Sequence, residues 1–299
     1  MSKTVLMELS DALADAAEHA GRSTVLVNAR RRMPASGIVY ASDLILTADH
    51  VIEKEEDIIV VLDSGEDVPA KVAGRDAGSD LAVLRLERPA ATVAELTKSP
   101  ARLGQIALAL ARPSRDGIEA SLGTVSAISG PVRTGSGGML ERYIRTDSIS
   151  YPGFSGGPLV SADGTILGLN TSGLSNGAAI TIPADIAWNI AEALAKHGQI
   201  KRGYLGIRSQ TVEVASLSQE TLKRKQSTGL LIMSVEKDSP ASKGGLMVGD
   251  ILVAVAGHPV LHHDELFTRL DGNVAGKSTA IEILRGGQPQ TLNVLVGER

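Results

Sequence analysis

Residues 57–74 read DIIVVLDSGEDVPAKVAG. Two short runs rich in β-branched and aliphatic residues, DIIVVLD (57–63) and VPAKVAG (68–74), flank Asp63-Ser64-Gly65, a group of turn formers. Two such runs joined by a turn predict an antiparallel hairpin. The pattern extends in both directions. STVLVNA (23–29), SGIVY (36–40) and LILTA (44–48) lie upstream and LAVLRL (81–86) downstream, which makes six strands. A second six follows: QIALALA (105–111), ASLGTVSAIS (120–129), LERYIRT (140–146), PLVS (158–161), TILGLNT (165–171) and AAITIP (178–183). Two groups of six short strands predict a mostly β fold of two small antiparallel barrels or sandwiches.

The period changes at both ends of this β region. Leu9, Leu13, Ala16 and Ala17 recur at helical spacing within residues 7–20. In PADIAWNIAEALAKHG (183–198), Ile186, Ile190 and Leu194 stand four apart, with Asp185 as the expected N-cap and Gly198 as the stop. A polar linker follows, and then a region that mixes short strands with helical segments. The expected division is an N-terminal helical segment 1–22, a β domain 23–197, a linker 198–202 and a mixed α+β domain 203–299. A chain of 299 residues is long enough for two or three cores.

Composition excludes several functions. The net charge of −4 gives no bulk basic field for nucleic acid, and Arg30-Arg31-Arg32 reads as a solvated lead-in to a strand. With no cysteine, disulfides, thiolate catalysis and cysteine zinc sites are out. HPVLHHDE (258–265) sets histidines beside acids, but its spacing fits no zinc motif and reads as a solvated loop leading to a helix. No metal or cofactor is expected. The start lacks the apolar core of a signal peptide, and no stretch is long and apolar enough to span a bilayer, so the sequence as written reads as cytoplasmic.

ISYPGFSGGPLV (149–160) places Ser155 among glycines. A serine hydroxyl is a weak nucleophile until an oriented base takes its proton, so a histidine and a buried acid are required. Of six histidines, His19, His197, His258, His262 and His263 sit in helical or polar loop contexts. His50 alone ends an apolar strand, in LILTADHVI (44–52), and Asp80 directly precedes one, in GSDLAVLRL (78–86). Taken singly, these are ordinary features of turns, strand ends and caps. Together, the order His50, Asp80, Ser155 is that of the chymotrypsin-type triad, with the first two in one strand group and the serine in the other. The backbone turn Gly153-Phe154-Ser155 would hold the oxyanion.

LILTADHVI, SDLAVLRL, PGFSGGPLV, ILGLNTSG and AAITIPAD together resemble the HtrA (Deg) serine proteases. KRGYLGI (201–207) and SVEKDSPASKGGLMVGDILVAVAGHPV (234–260) resemble that family's PDZ domain. The resemblance covers roughly residues 23–296. It implies two chymotrypsin-like barrels followed by one PDZ domain, and hydrolysis of unfolded or damaged proteins. Peptide C-termini are the implied partners of the PDZ domain, and homotrimers and a site of action outside the cytoplasm are also implied. Ile149, six before the serine, would floor the primary pocket, with Thr171, Ser172, Gly173 and Ala178 along its wall, favouring cleavage after small aliphatic residues. In the PDZ domain, Tyr204, Leu205, Gly206 and Ile207 would hold a terminal carboxylate, and Leu266 and Leu270 would line the groove.

The sequence departs from the family in places. Phe154 stands where asparagine is common, and a bulky ring there could bias the adjoining peptide or cover the leaving-group side. ASG (35–37) replaces the usual GSG, and the N-terminal segment lacks the aromatics that knit the trimers. These changes are what a proteolytically idle, peptide-binding or chaperone-like scaffold would carry; the intact triad favours the protease.

Overall fold

The computed structural model describes residues 4–90, 92–134, 138–174, 179–200, 202–270 and 274–298. The chain forms two compact units, 1–200 and 201–299.

In the first unit, β1 (Thr24–Asn28), β2 (Ala35–Ala41), β3 (Leu44–Ala48), β4 (Ile58–Val61), β5 (Asp67–Asp76) and β6 (Leu81–Leu86) close into an antiparallel barrel in the order β1-β2-β3-β6-β5-β4. The hairpin expected at 57–74 is β4–β5, with Ile58 opposite Ala70 and Val61 opposite Asp67. A second barrel follows. Its strands are β7 (Ile106–Ser114), β8 (Gly117–Ser129), β11 (Tyr143–Thr146), β12 (Pro158–Ser161), β13 (Ile166–Thr171) and β14 (Ile180–Pro183), ordered β11-β14-β13-β12-β7-β8. Between β8 and β11 lies a small hairpin of β9 (Val132–Arg133) and β10 (Met139–Leu140).

Alternation assigns each strand's two faces, as the two-residue period of a strand requires. Ile45 of β3 and Ala82 and Leu84 of β6 fill the first barrel. Their neighbours Leu44, Leu46, Leu81 and Val83 pack outward against Leu169, Ile182 and helix α2 (Ala184–His197). The second barrel is filled by Ala107, Ala109 and Ala111 of β7 with Leu159 and Leu167, while Leu108 and Leu110 point the other way, onto Ala16 and Ala20 of α1 (Val5–Gly21). Strands buried on both faces therefore read as continuous apolar runs.

Helix α2 begins at Ala184 after an N-cap at Pro183, so Asp185 lies in the first turn and pairs with Arg142 instead of capping. An acid there still complements the positive end of the helix. Gly198 stops the helix in the left-handed conformation, its N–H bonded to the Leu194 carbonyl at 2.8 Å.

The second unit has its own core, built from Leu205, Leu230, Ile232, Leu252, Val255, Leu266, Ile281 and Val294 among others. After a two-residue strand at Gly203–Tyr204, paired with Gly297–Glu298, its sheet runs Ile207–Glu213, Thr228–Val235, Ile251–Val255, Ser278–Arg285 and Gln288–Leu295 in spatial order. Ile207–Glu213 is an edge strand of that sheet. A helix at His263–Arg269 lies between the third and fourth of these strands in sequence.

Candidate active site and peptide-binding loop

β3 ends at Ala48 and the chain turns through a single 3-10 turn, Asp49–Val51, that carries His50. Two residues hold this turn. Arg75 donates from Nε to Asp49 Oδ1 at 2.6 Å and from Nη1 to Glu55 at 2.9 Å, and the Asp49 carboxylate holds its guanidinium above the ordinary arginine value. Asp80 accepts from the His50 backbone N–H at 2.9 Å, while its own carbonyl accepts from Asp49 N–H at 3.0 Å. Asp80 reaches this position with φ 55°, a left-handed conformation that aspartate tolerates better than most residues.

The Asp80 carboxylate is buried (4% exposed) and lies 2.8 Å from His50 Nδ1. Thr171 Oγ1 also donates to it, and Gly173 N–H donates to Thr171 Oγ1 at 3.0 Å. The carboxylate is thus taken out of water with its lone pairs occupied, as a buried charge requires. Gly173 closes over the pair. A methyl group at that position would sit 2.5 Å from Asp80 Oδ2 and 2.6 Å from His50 Nδ1.

Ser155 follows β11 on the turn that leads into β12. Its hydroxyl lies 3.2 Å from the Ser172 hydroxyl, and among the described residues it makes no hydrogen bond to His50. His50, Gly153, Ser155 and Ser172 nonetheless open onto one cleft of about 300 Å³, which Arg30 and Met33 also line. Gly153 has φ 92°, and its carbonyl accepts from Ser36 Oγ at 2.8 Å. The Ser155 carbonyl accepts from Ser36 N–H at 3.1 Å. With both carbonyls tied inward, the N–H groups of Gly153 and Ser155 have no partner among the described residues. Ser36 was not singled out by sequence reasoning; its place in the ASG segment was the available signal.

Phe154 does not cover the cleft. It is 1% exposed, lies in the interior cluster of the second barrel with the β7 alanines, and meets Tyr151 edge-on at 5.6 Å between ring centroids. Small residues on β7 leave the volume that its ring takes.

The expected pocket differs in detail. Ile149 is 58% exposed and does not line the cleft; its N–H is held by Ser121 Oγ at 2.9 Å, which keeps that stretch against β8. Thr171 lies beneath Asp80 instead of on a pocket wall. Ser172 does line the cleft, Ala179 joins it, and Ala178 falls outside the described residues.

In the second unit, the 204–207 loop is pinned from below. The Leu205 carbonyl accepts from Ala241 N–H and the Gly206 carbonyl from Glu236 N–H, both at 2.8 Å, and the Tyr204 hydroxyl donates to the Glu236 carboxylate. The N–H groups of Leu205 and Gly206 have no partner among the described residues. Gly206 has φ 77°, and a Cβ there would sit 2.4 Å from Ser239 Cβ. Leu266 and Leu270 are both buried in the core, because the helix turns that face inward, and Ile207 packs against the same core. The residue that reaches from this helix to the edge strand is His263, with Nε2 3.0 Å from the Ser209 carbonyl. The same nitrogen lies 3.1 Å from the Ser209 hydroxyl. Among the described residues no cluster of histidines and acids could hold a metal ion, and no helix is long and apolar enough to cross a membrane.

Comparison with known proteins agrees with this construction. Residues 35–169 match the trypsin-like peptidase domain and residues 203–296 the PDZ domain. A probable periplasmic serine endoprotease DegP-like from Pseudomonas putida (strain GB-1) is 33% identical over 269 residues, which cover 88% of this chain and 55% of that protein. The protein of the same description from Pseudomonas savastanoi pv. phaseolicola is 34% identical over 270 residues, with the same coverage of 88% and 55%. The chain thus spans about half the length of these relatives. Among solved structures, the HtrA-type protease AlgW with decapeptide superposes with a TM-score of 0.79 at 27% identity, covering 96% of this chain and 98% of that one. The serine endoprotease from Yersinia pestis gives 0.79 at 28% identity, with the same coverage of 96% and 98%. The two closed barrels, the domain order and these relatives agree: the chain carries a trypsin-like peptidase domain followed by a PDZ domain and is similar in sequence and structure to HtrA-type serine proteases.

Proposed function

We propose that the chain is a serine endopeptidase that cleaves unfolded polypeptides. His50 takes the proton from Ser155 Oγ as the hydroxyl attacks the scissile carbonyl, and returns it to the leaving amine. Asp80 holds the imidazole with Nδ1 protonated and offsets the charge that forms on it. The N–H groups of Gly153 and Ser155 receive the oxyanion. Water then enters, activated by the same imidazole, and releases the acyl group. The observation that carries this reading is the buried Asp80 carboxylate paired with His50, whose ring opens onto the same cleft as Ser155 beside two N–H groups without a partner among the described residues.

Among the described residues no acidic residue lines the cleft, so we expect cleavage after uncharged residues. The 204–207 loop offers two N–H groups without a partner among the described residues beside an edge strand, which supports capture of peptide C-termini by the second unit. The named relatives are described as probable periplasmic proteases, and we carry an extracytoplasmic setting over to this chain as part of the proposal. A fluorophosphonate probe tests the central claim. It should label the wild type on Ser155 and fail to label Ser155→Ala, whereas an idle scaffold would remain unlabelled from the start.

A further inference from the structure

The basic run at 30–32 is not all solvated. Arg31 and Arg32 are exposed, but Arg30 is partly buried and lines the same cleft as His50 and Ser155. Its Nε is buried with no hydrogen-bond partner, and its guanidinium forms no ion pair within 4.0 Å among the described residues. Glu53, the acid nearest in effect, accepts from the Arg31 backbone N–H at 3.3 Å. With no ion pair among the described residues, the part of the guanidinium that lines the cleft carries unmatched charge, which a carboxylate in the cleft would offset.

The two barrels contribute different residues to the cleft. Ser172 and Ala179, which continue and precede strands of the second barrel, line the cleft from that barrel. Arg30 and Met33 line it from the β1–β2 connection of the first barrel. A substrate whose acyl half follows the second-barrel residues of the cleft would carry its leaving half toward the first-barrel residues, Arg30 among them. We infer that Arg30 selects substrates with an acidic residue just after the scissile bond, its guanidinium pairing with that carboxylate, and that Arg31 and Arg32 extend the same preference as a longer-range field. This rests on the protease reading and goes beyond it by naming the charge of the substrate.

The test uses matched peptides that carry glutamate or glutamine at the first two positions after one fixed cleavage site, and a second pair with the same exchange before it. For the wild type, kcat/KM should favour glutamate after the bond by up to roughly fivefold at low salt. The preference should shrink as salt rises from about 0.02 to 0.3 M, because screening shortens the reach of charge to about 10 Å or less. Arg30→Gln should bring the ratio to near one and Arg30→Lys should keep part of it. The salt series needs no variant, so a poorly folded Arg30→Gln leaves the claim testable. Equal cleavage of both peptides by a probe-labelled wild type, a salt-insensitive ratio, or a preference for the acid before the bond overturns the inference and leaves the protease reading standing. A wild type that neither cleaves nor labels removes both.

Discussion

Phe154 shows how one side chain can decide stability without touching chemistry. It fills the second barrel beside alanines, so Phe154→Asn, which restores the residue common in relatives, leaves a cavity and buries an amide with nothing to bond. Stability should fall by about 3 kcal/mol or more, read as a lower midpoint in denaturant. Ser155→Ala and His50→Ala should each lower kcat by about 10⁶-fold, Asp80→Ala by roughly two orders less, and the Ser155→Ala/His50→Ala double variant should be little worse than either single one, measured on casein-like unfolded protein. Gly173→Ala should also depress kcat, because its methyl group would fall within 2.6 Å of both members of the His50–Asp80 pair. The pairing of His50 with Asp80 was readable from the sequence, since strand ends locate both. The inward turn of Phe154 was not: a residue next to a nucleophile carries no period that tells its face. Ile149 was misplaced for the same reason, because an offset from the serine fixes sequence distance and leaves open which way an irregular loop turns.

At the scale of elements, the strands were legible because period two and turn formers act locally. Helix ends were less so. Asp185 resembles a cap, yet Pro183 already supplies the extended residue before the helix, and the acid is left to pair with Arg142. Leu266 and Leu270 share one face, and spacing alone does not say whether that face meets a groove or a core. Helix α1 is fastened at its end: Ser23 and Thr24 hydroxyls donate to the Ala20 carbonyl at 3.0 and 2.9 Å, and the buried Arg112 reaches Gly21 O at 3.3 Å and Thr24 O at 2.9 Å. Removing residues 1–21 should bare Leu108, Leu110, Val160 and Ile166 and lower the thermal midpoint of the first unit by several degrees, with aggregation seen by light scattering. In the second unit, Gly206→Val should abolish C-terminal peptide binding, since valine meets both a positive φ and the Ser239 side chain.

At the scale of the molecule, two units with separate cores are joined near residue 200. Calorimetry on full-length Ser155→Ala should show tighter binding of an apolar-ended peptide as free acid than as amide, because two N–H groups then face a charge. Equal affinity would show that the 204–207 loop does not read the terminus. One feature of the first unit bears on time as well as on affinity. Ser36, on the first barrel, grips both ends of the 153–155 turn, on the second, through its N–H and its hydroxyl, and that hydroxyl also accepts from Arg112 N–H at 2.9 Å. A turn fastened in this way is set before any substrate arrives. Progress curves should therefore be linear from the first turnover, without a lag, while Ser36→Ala should introduce a slow onset that shortens as substrate concentration rises.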